Sequence, residues 1–261
     1  MIKLIATEMD GSFLRDDMTY DEAKFAELMK RMQAQNIQFV CASGNQYFQL
    51  QSFFTKYPDV IYVAENGAYI RSRDHVYAVS SFKDAATADI LTVLNQIDDI
   101  KLLVCGQANA YALTTTDPTH VQTMRNYYHE LRVIDDFADI DDRILKFAIS
   151  CPPARTDAIV EHLRSALSGL ADVTSSGHGD IDIIQPGLNK AAGLKELGQI
   201  LGVDLAEMVA FGDGGNDLEM LREVGDGVAM ANAQPDVLAV ANTTTGSNED
   251  QGVLQYLDKI L

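Results

Sequence analysis

The sequence predicts an α/β protein whose parallel-sheet core is interrupted by an inserted α+β unit. Three observations carry this. Short apolar runs alternate with helix-period stretches through the first 82 residues, the same alternation returns after residue 188, and the chain between them changes to hairpins and isolated helices. Alternating strand and helix is the signature of parallel strands joined by helical crossovers. At 261 residues the chain is long enough to carry a smaller domain inside a larger one. The expected boundaries are 1–82 for the first core segment, 83–187 for the insert and 188–261 for the second core segment.

Residues 2–7 (IKLIAT) read as a short buried strand. A helix is expected over 19–35, with Thr19 and Glu22 spaced as a capping box and Phe25, Leu28, Met29 and Met32 on one face. A strand follows over 37–43, then a helix-like stretch leading to "VIYVAENGAYI" at 60–70. In the insert, Ile90, Leu91, Leu94 and Ile97 mark a helix, and "KLLVCGQANAYALTTT" sets two apolar runs about a polar, Gly-containing turn, which predicts a hairpin. "PTHVQTMRNYYHEL" reads as helix, "RILKFAISC" as strand, "ARTDAIVEHLRSAL" as helix and "DVTSSGHGDIDIIQ" as further strands. The core pattern resumes with a helix over 190–202, a strand over 208–213, a helix from Asp217 carrying Leu218, Leu221 and Val224, and a strand in "GVAMAN".

Acidic residues outnumber basic ones 38 to 20, for a net charge of -18. That field disfavours nucleic acid and anionic membranes as partners. Cys41, Cys105 and Cys151 are far apart and odd in number, which suits reduced thiols and a cytoplasmic location. No run of eighteen apolar residues occurs, and Lys3, Glu8 and Asp10 do not suit a signal peptide.

Ligands of open parallel sheets bind beyond the carboxyl ends of the strands. The first strand delivers Glu8 and Asp10 there, the second Ser43 and Gly44, and the late strand "GDGGND" at 212–217, with Lys190 opening the preceding helix. Oxygen-only donors suit Mg²⁺, which is typically held by one or two carboxylates beside a phosphate. A lysine, a serine hydroxyl and backbone N–H groups suit the remaining phosphate oxygens. Together these residue types describe a phosphoryl site, where transfer depends mainly on positioning and charge stabilisation and a carboxylate in line with phosphorus can be the nucleophile. Taken singly, each feature has a commoner reading: a turn acid, a turn serine, a solvated lysine. The glycine-rich loop is neither a dinucleotide fingerprint, since Asp217 stands where a third glycine would fall, nor a P-loop. The signal lies in the combination.

With these motifs in order, the chain resembles the haloacid dehalogenase (HAD) superfamily, and within it the Cof-type phosphatases with a large α/β cap of type IIB. "EMDGSF" stands for the family's DxDGT[LF], Ser43 in "ASGNQY" for its second motif, Lys190 in "PGLNKAAGL" for its third and "GDGGND" for its fourth. "ENGA" at 65–68 and "GVAMANA" at 227–233 are supporting signatures, and "ASGNQYFQL" with "GHGDIDIIQPGLNK" resembles the sugar-phosphate branch. The resemblance implies a Rossmann-like core, a specificity-determining cap over 83–187 and a Mg²⁺ cofactor. It makes position 8 the nucleophile that carries an acyl-phosphate, Asp10 the general acid and base, and Glu8, Asp10 and Asp213 the metal-binding positions. Ser43, Gly44, Lys190 and Asn216 become phosphate-binding residues, Asp217 a residue that orients the lysine and metal waters, and the cap loop 175–182, with His178, a substrate selector.

One position departs from the pattern: the family's nucleophile is aspartate, and this chain has Glu8. The extra methylene adds roughly 1.5 Å of reach, and a misplacement of about 1 Å from attack geometry costs on the order of a hundredfold, or about 2.7 kcal/mol. The expectation is therefore a Mg²⁺-dependent phosphatase of a small phosphorylated metabolite, a sugar phosphate first among them, impaired at position 8. The alternative is a sugar-phosphate-binding protein without turnover.

Overall fold

The computed structural model describes residues 1–177 and 179–261, with side chains for all of these except 176 and 177. The core elements are β1 (Leu4–Thr7), α1 (Glu22–Ala34), β2 (Gln38–Ala42), α2 (Tyr47–Phe53), β3 (Ile61–Ala64), β4 (Tyr69–Arg71) and β5 (Val76–Val79). The chain then builds α3 (Asp84–Leu94), β6 (Lys101–Gly106), β7 (Ala110–Leu113), α4 (Pro118–Met124), β8 (Leu131–Ile134), β9 (Ile144–Ser150), α5 (Thr156–Ala166), β10 (Asp172–Gly177) and β11 (Asp180–Ile184). It returns with α6 (Lys190–Leu201), β12 (Met208–Gly212), α7 (Leu218–Glu223), β13 (Asp226–Ala229), α8 (Pro235–Val240), β14 (Thr243–Thr244) and α9 (Gly252–Ile260).

These strands form two sheets. An eight-stranded sheet has the order β14-β13-β12-β1-β2-β3-β4-β5, and a six-stranded sheet the order β10-β11-β9-β6-β7-β8. β1 lies at the centre of the first, parallel to both neighbours, with Ala6 opposite Ala210 and Val40. Every residue of β1 is buried, as expected of a strand covered on both faces. The insert's sheet is mainly antiparallel, and β6 and β7 form the expected hairpin, with Val104 opposite Tyr111. Each sheet carries its own apolar core: Phe13, Phe25, Phe39 and Phe54 pack ring on ring in the first, and Phe82, Ile90, Phe147 and Leu163 interlock in the second.

Four details differ from the sequence reading. The first helix begins at Glu22, and its cap is Asp21, whose side chain accepts the Lys24 amide at 2.9 Å. Thr19 instead closes a preceding turn, its hydroxyl donating to Asp17 and its carbonyl accepting the Arg15 amide. Residues 60–70 are not one strand: Glu65 and Asn66 take φ values of +52° and +55°, the chain reverses, and β4 runs antiparallel to β3. α4 stops at Met124 rather than running on through 131, and β5 and β8 lacked a sequence signal because both are short and largely uncovered. The three cysteines are free thiols, Cys41 and Cys105 buried. Among the described residues no helix is long and apolar enough to cross a membrane.

Candidate active site

The carboxyl ends of β1, β2 and β12 open into one cavity of about 600 Å³, whose far wall is built by the six-stranded sheet and α4. Beyond β1 the chain makes a wide turn, closed by the Phe13 amide on the Glu8 carbonyl (3.2 Å) and the Leu14 amide on the Met9 carbonyl (2.8 Å). Gly11 sits in this turn at φ +72°, and any Cβ there would strike the Asp213 carboxylate. Only glycine meets both demands at no steric cost. Ser12 Oγ donates to Asp213 Oδ1 at 2.7 Å, tying the β1 loop to the β12 loop.

Glu8 is almost fully buried. Its Oε1 accepts the Met9 amide at 2.7 Å, and its Oε2 takes an ion pair from Lys190. Lys190 is completely buried at the first turn of α6, whose N-cap Asn189 accepts the Ala192 amide at 2.8 Å. The same ammonium donates to Asp217 Oδ1 at 2.5 Å, while Asp217 Oδ2 accepts the amides of Asp213 (2.9 Å) and Gly214 (3.0 Å). Lys190 is thus enclosed by Glu8 and Asp217 and does not line the cavity, whereas Glu8, Asp10, Ser43, Gly44, Asp213, Asn216 and Asp217 do. At the end of β2, Ser43 Oγ accepts the Asn45 amide, and Asn45 Nδ2 donates to Asp10 Oδ2 at 2.6 Å.

The charge balance of this crevice is negative. Glu8, Asp10, Asp213 and Asp217 gather about the Lys190 ammonium, and Asp16, Asp180 and Asp182 line the same cavity against Lys146 and Arg15, so acids outnumber bases. Burial pushes Glu8 up to about 7 against the pull of Lys190, with Asp217 adding to the rise. Burial likewise raises Asp213 to about 7, reinforced by Asp217, and raises Asp10 despite its hydrogen bond from Asn45. For Lys190, burial favours the neutral amine, but Asp217 and Glu8 together outweigh it and hold the ammonium charged. Among the described residues no three acid, histidine or cysteine side chains close into a cage around one point. Mg²⁺ does not require one, since it keeps several waters and uses one or two carboxylates. A hard cation beside Asp10 and Asp213 fits both the donor chemistry and the unbalanced charge.

Of the expected residues, His178 lies outside the described residues. Several neighbours had no motif to reveal them. Lys146 of β9 is buried at the junction of the sheets; its ammonium donates to the Gly44 carbonyl at 2.6 Å, lies 3.2 Å from both Asp182 carboxylate oxygens, 3.4 Å from Glu65 Oε2 and 5.7 Å from the centre of the Tyr128 ring. A signal was available: Lys146 is the only charge in the apolar run "ILKFAI", and a lysine there must find partners. Asn45, the partner of Asp10, gave no comparable signal.

Comparisons with known proteins agree with this architecture. Residues 5–257 match the profile of haloacid dehalogenase-like hydrolases. The chain is 39% identical, over all 261 of its residues and 96% of the relative's length, to the 5-amino-6-(5-phospho-D-ribitylamino)uracil phosphatase YbjI of Escherichia coli K12. It is 29% identical, over 97% of its length and 96% of the relative's, to a Bacillus subtilis phosphatase of the same description, YitU. Among solved structures, SMU.1108c of Streptococcus mutans UA159 superposes with a TM-score of 0.94 at 31% identity, covering 99% of this chain and 98% of that one. The HAD subclass IIB sugar phosphatase BT4131 shares the fold, with a TM-score of 0.83 at 18% identity over 98% of both chains.

Proposed function

Because the chain belongs to the haloacid dehalogenase-like hydrolases, where it is a Cof-type phosphatase, we propose that it hydrolyses small sugar-type phosphate monoesters with Mg²⁺, through an acyl-phosphate on Glu8 formed slowly. The observation that carries this reading is the convergence of Glu8, Asp10, Ser43 and Asp213, from three adjacent strand ends, on one cavity roofed by the second sheet. The relatives named for a ribityl phosphate support a substrate with a short hydroxylated chain ending in phosphate. A cavity of about 600 Å³ is in the range of small-ligand sites, and residues 83–187 act as the cap that reads the leaving group.

In this reading Ser43 Oγ and the loop amides receive the phosphoryl oxygens, and Glu8 faces phosphorus. Asp10, whose affinity for a proton burial raises, donates to the departing oxygen as general acid while Asn45 fixes its carboxyl. Mg²⁺ would be held by the Asp10 backbone carbonyl and the Asp213 carboxylate beside Glu8, which leaves the Asp10 carboxyl free for the proton, and when bound it would neutralise charge on the transferring group. Glu8 is the weak point. Its Oε1 accepts the Met9 amide and its Oε2 pairs with Lys190, so attack on phosphorus competes with both contacts, and Lys190 does not line the cavity.

The test is steady-state phosphate release from a panel of sugar and sugar-alcohol phosphates with Mg²⁺, for this protein and for Glu8→Asp. Release by the aspartate variant supports the reading; inertness of that variant on every ester refutes it. The engagement of Glu8 by Lys190 also favours a second reading, ligand binding without turnover. Calorimetric binding of a sugar phosphate with no phosphate released by either version would select it.

A further inference from the structure

The loop that ends β2 is held from two sides. From the core, the Asn66 amide donates to the Ser43 carbonyl at 3.1 Å and the Glu65 amide to the Asn45 carbonyl at 3.2 Å. Both donors come from a turn of non-glycine residues at positive φ, a conformation that persists only where its surroundings impose it. From the other sheet, Lys146 donates to the Gly44 carbonyl between those two points. Asp182, on β11 beside it, accepts from Lys146 with both oxygens and from Asn66 Nδ2 at 2.6 Å. The packing leaves no slack: a Cβ on Gly44 would lie 3.2 Å from both Asn66 Oδ1 and Asp182 Oδ2.

We propose that Lys146 is a positioning residue that couples seating of the inserted sheet to the geometry of the phosphate-side loop: with Asp182 it clamps the Gly44 carbonyl, and through Asn45 sets the orientation of Asp10. The inference rests on the reading of 43–45 as part of a phosphatase site. A lysine buried merely to satisfy its charge would need carboxylates alone. This one spends its shortest hydrogen bond on a backbone carbonyl of the loop between Ser43 and Asn45, 102 residues away in sequence. The loop's next residue repeats the arrangement, since Gln46 Nε2 donates to the Glu130 carbonyl at 2.9 Å and Gln46 Oε1 accepts the Glu130 amide at 3.0 Å. When the insert leaves, residues 44 and 46 lose their partners together, while the partners of Glu8 and Lys190 stay behind in the core.

The experiment is amide hydrogen exchange on the full chain, comparing the wild type with Lys146→Met and with Asp182→Ala, which leaves the lysine in place without its two-oxygen partner and preserves the apolar run of β9. Expected is a tenfold or greater acceleration at residues 43–46 in Lys146→Met and a smaller one in Asp182→Ala, with protection in β1 and β6 unchanged. Should Lys146→Met not fold, the Asp182→Ala result decides. Unchanged exchange at 43–46 in a folded variant overturns the proposal, as does uniform acceleration through both sheets, which would mark Lys146 as structural only. Exchange needs no substrate, so this outcome is separate from any failure of the phosphatase reading, which the Glu8→Asp assay reports. In an active Glu8→Asp background, Lys146→Met is expected to lower kcat for p-nitrophenyl phosphate tenfold or more with a lesser change in KM, because Asp10 loses its orientation while Ser43 stays held from the core by the Asn66 amide.

Discussion

Two lysines are buried among the described residues, each between two carboxylates, yet they occupy different kinds of place. Lys190 meets Glu8 and Asp217, and all three belong to the eight-stranded sheet and its flanking helix. Lys146 meets Asp182 of its own sheet and Glu65 and the Gly44 carbonyl of the other. The first cluster stays whole however the two sheets move; the second exists only while they are docked. The same chemistry therefore serves charge balance behind the core wall of the candidate active site in one case and, in the other, registration between two layers at a point that itself lines the cavity. Their surroundings also differ in tolerance. Asp217 is wholly enclosed, whereas the Asp182 side chain retains 20% exposure and can regain water when its lysine is lost.

The sharpest way to break this comparison is to remove each ammonium. Lys190→Met strands two buried carboxylates and is expected to cost about 3–5 kcal/mol by chemical denaturation, together with any phosphate release. Lys146→Met is expected to cost less, because Asp182 rehydrates and Glu65 can take a proton; equal losses would dissolve the distinction. Next in size is Glu8→Asp, which frees Lys190 from a side chain one methylene too long and is expected to raise kcat by about a hundredfold. A structure of that variant should show the ammonium facing the cavity.

Gln46→Ala removes both hydrogen bonds to Glu130 and is expected to cost about 1–2 kcal/mol. Limited proteolysis should find the junction between the sheets opened while the eight-stranded core resists. The smallest effect is on pH dependence. Burial pushes Glu65 from 4.5 up to about 7, opposed by Lys146 and reinforced by Asp182. The native state keeps this proton after the unfolded chain has released it, so Glu65's contribution to stability falls as pH rises from about 4.5 to 7 and is level above. Glu65→Gln is expected to flatten that part of the melting-temperature profile, gaining a few degrees on the wild type at pH 8 relative to pH 5. A profile identical to wild type would mean that Glu65 is ionised throughout.

How much of this was legible in the sequence depends on how far apart the interacting residues lie and whether a local rule links them. β1, β2 and β12 announce themselves as apolar runs, and each strand end carries its chemistry within a few residues, so Glu8, Asp10, Ser43 and Asp213 could be gathered by topology alone. The α1 apolar face followed from spacing, but its cap did not: Asp21 takes the place expected for Thr19, and its own amide donates to Gln251 Oε1 at 2.7 Å, a contact from the far end of the chain. β5 and β8 escaped for the same reason, since short half-exposed strands are defined by their neighbours rather than by their own pattern.

The sequence by itself determined the fold class, the parallel order implied by alternating strand and helix, and a crevice of carboxylates with a serine and a lysine. Those follow from periodicity and from the rule that loops at the carboxyl ends of parallel strands share one edge. Beyond the contact of Asp217 with the lysine, which the resemblance implied, tertiary structure decided which charges pair. That Lys190 turns to Glu8 and Asp217 rather than to the cavity, and that Lys146 reaches across to Gly44, depends on distances between segments up to 182 residues apart. Electrostatic pairing falls off within a few ångströms, and no sequence pattern encodes a separation that only the packed layers create.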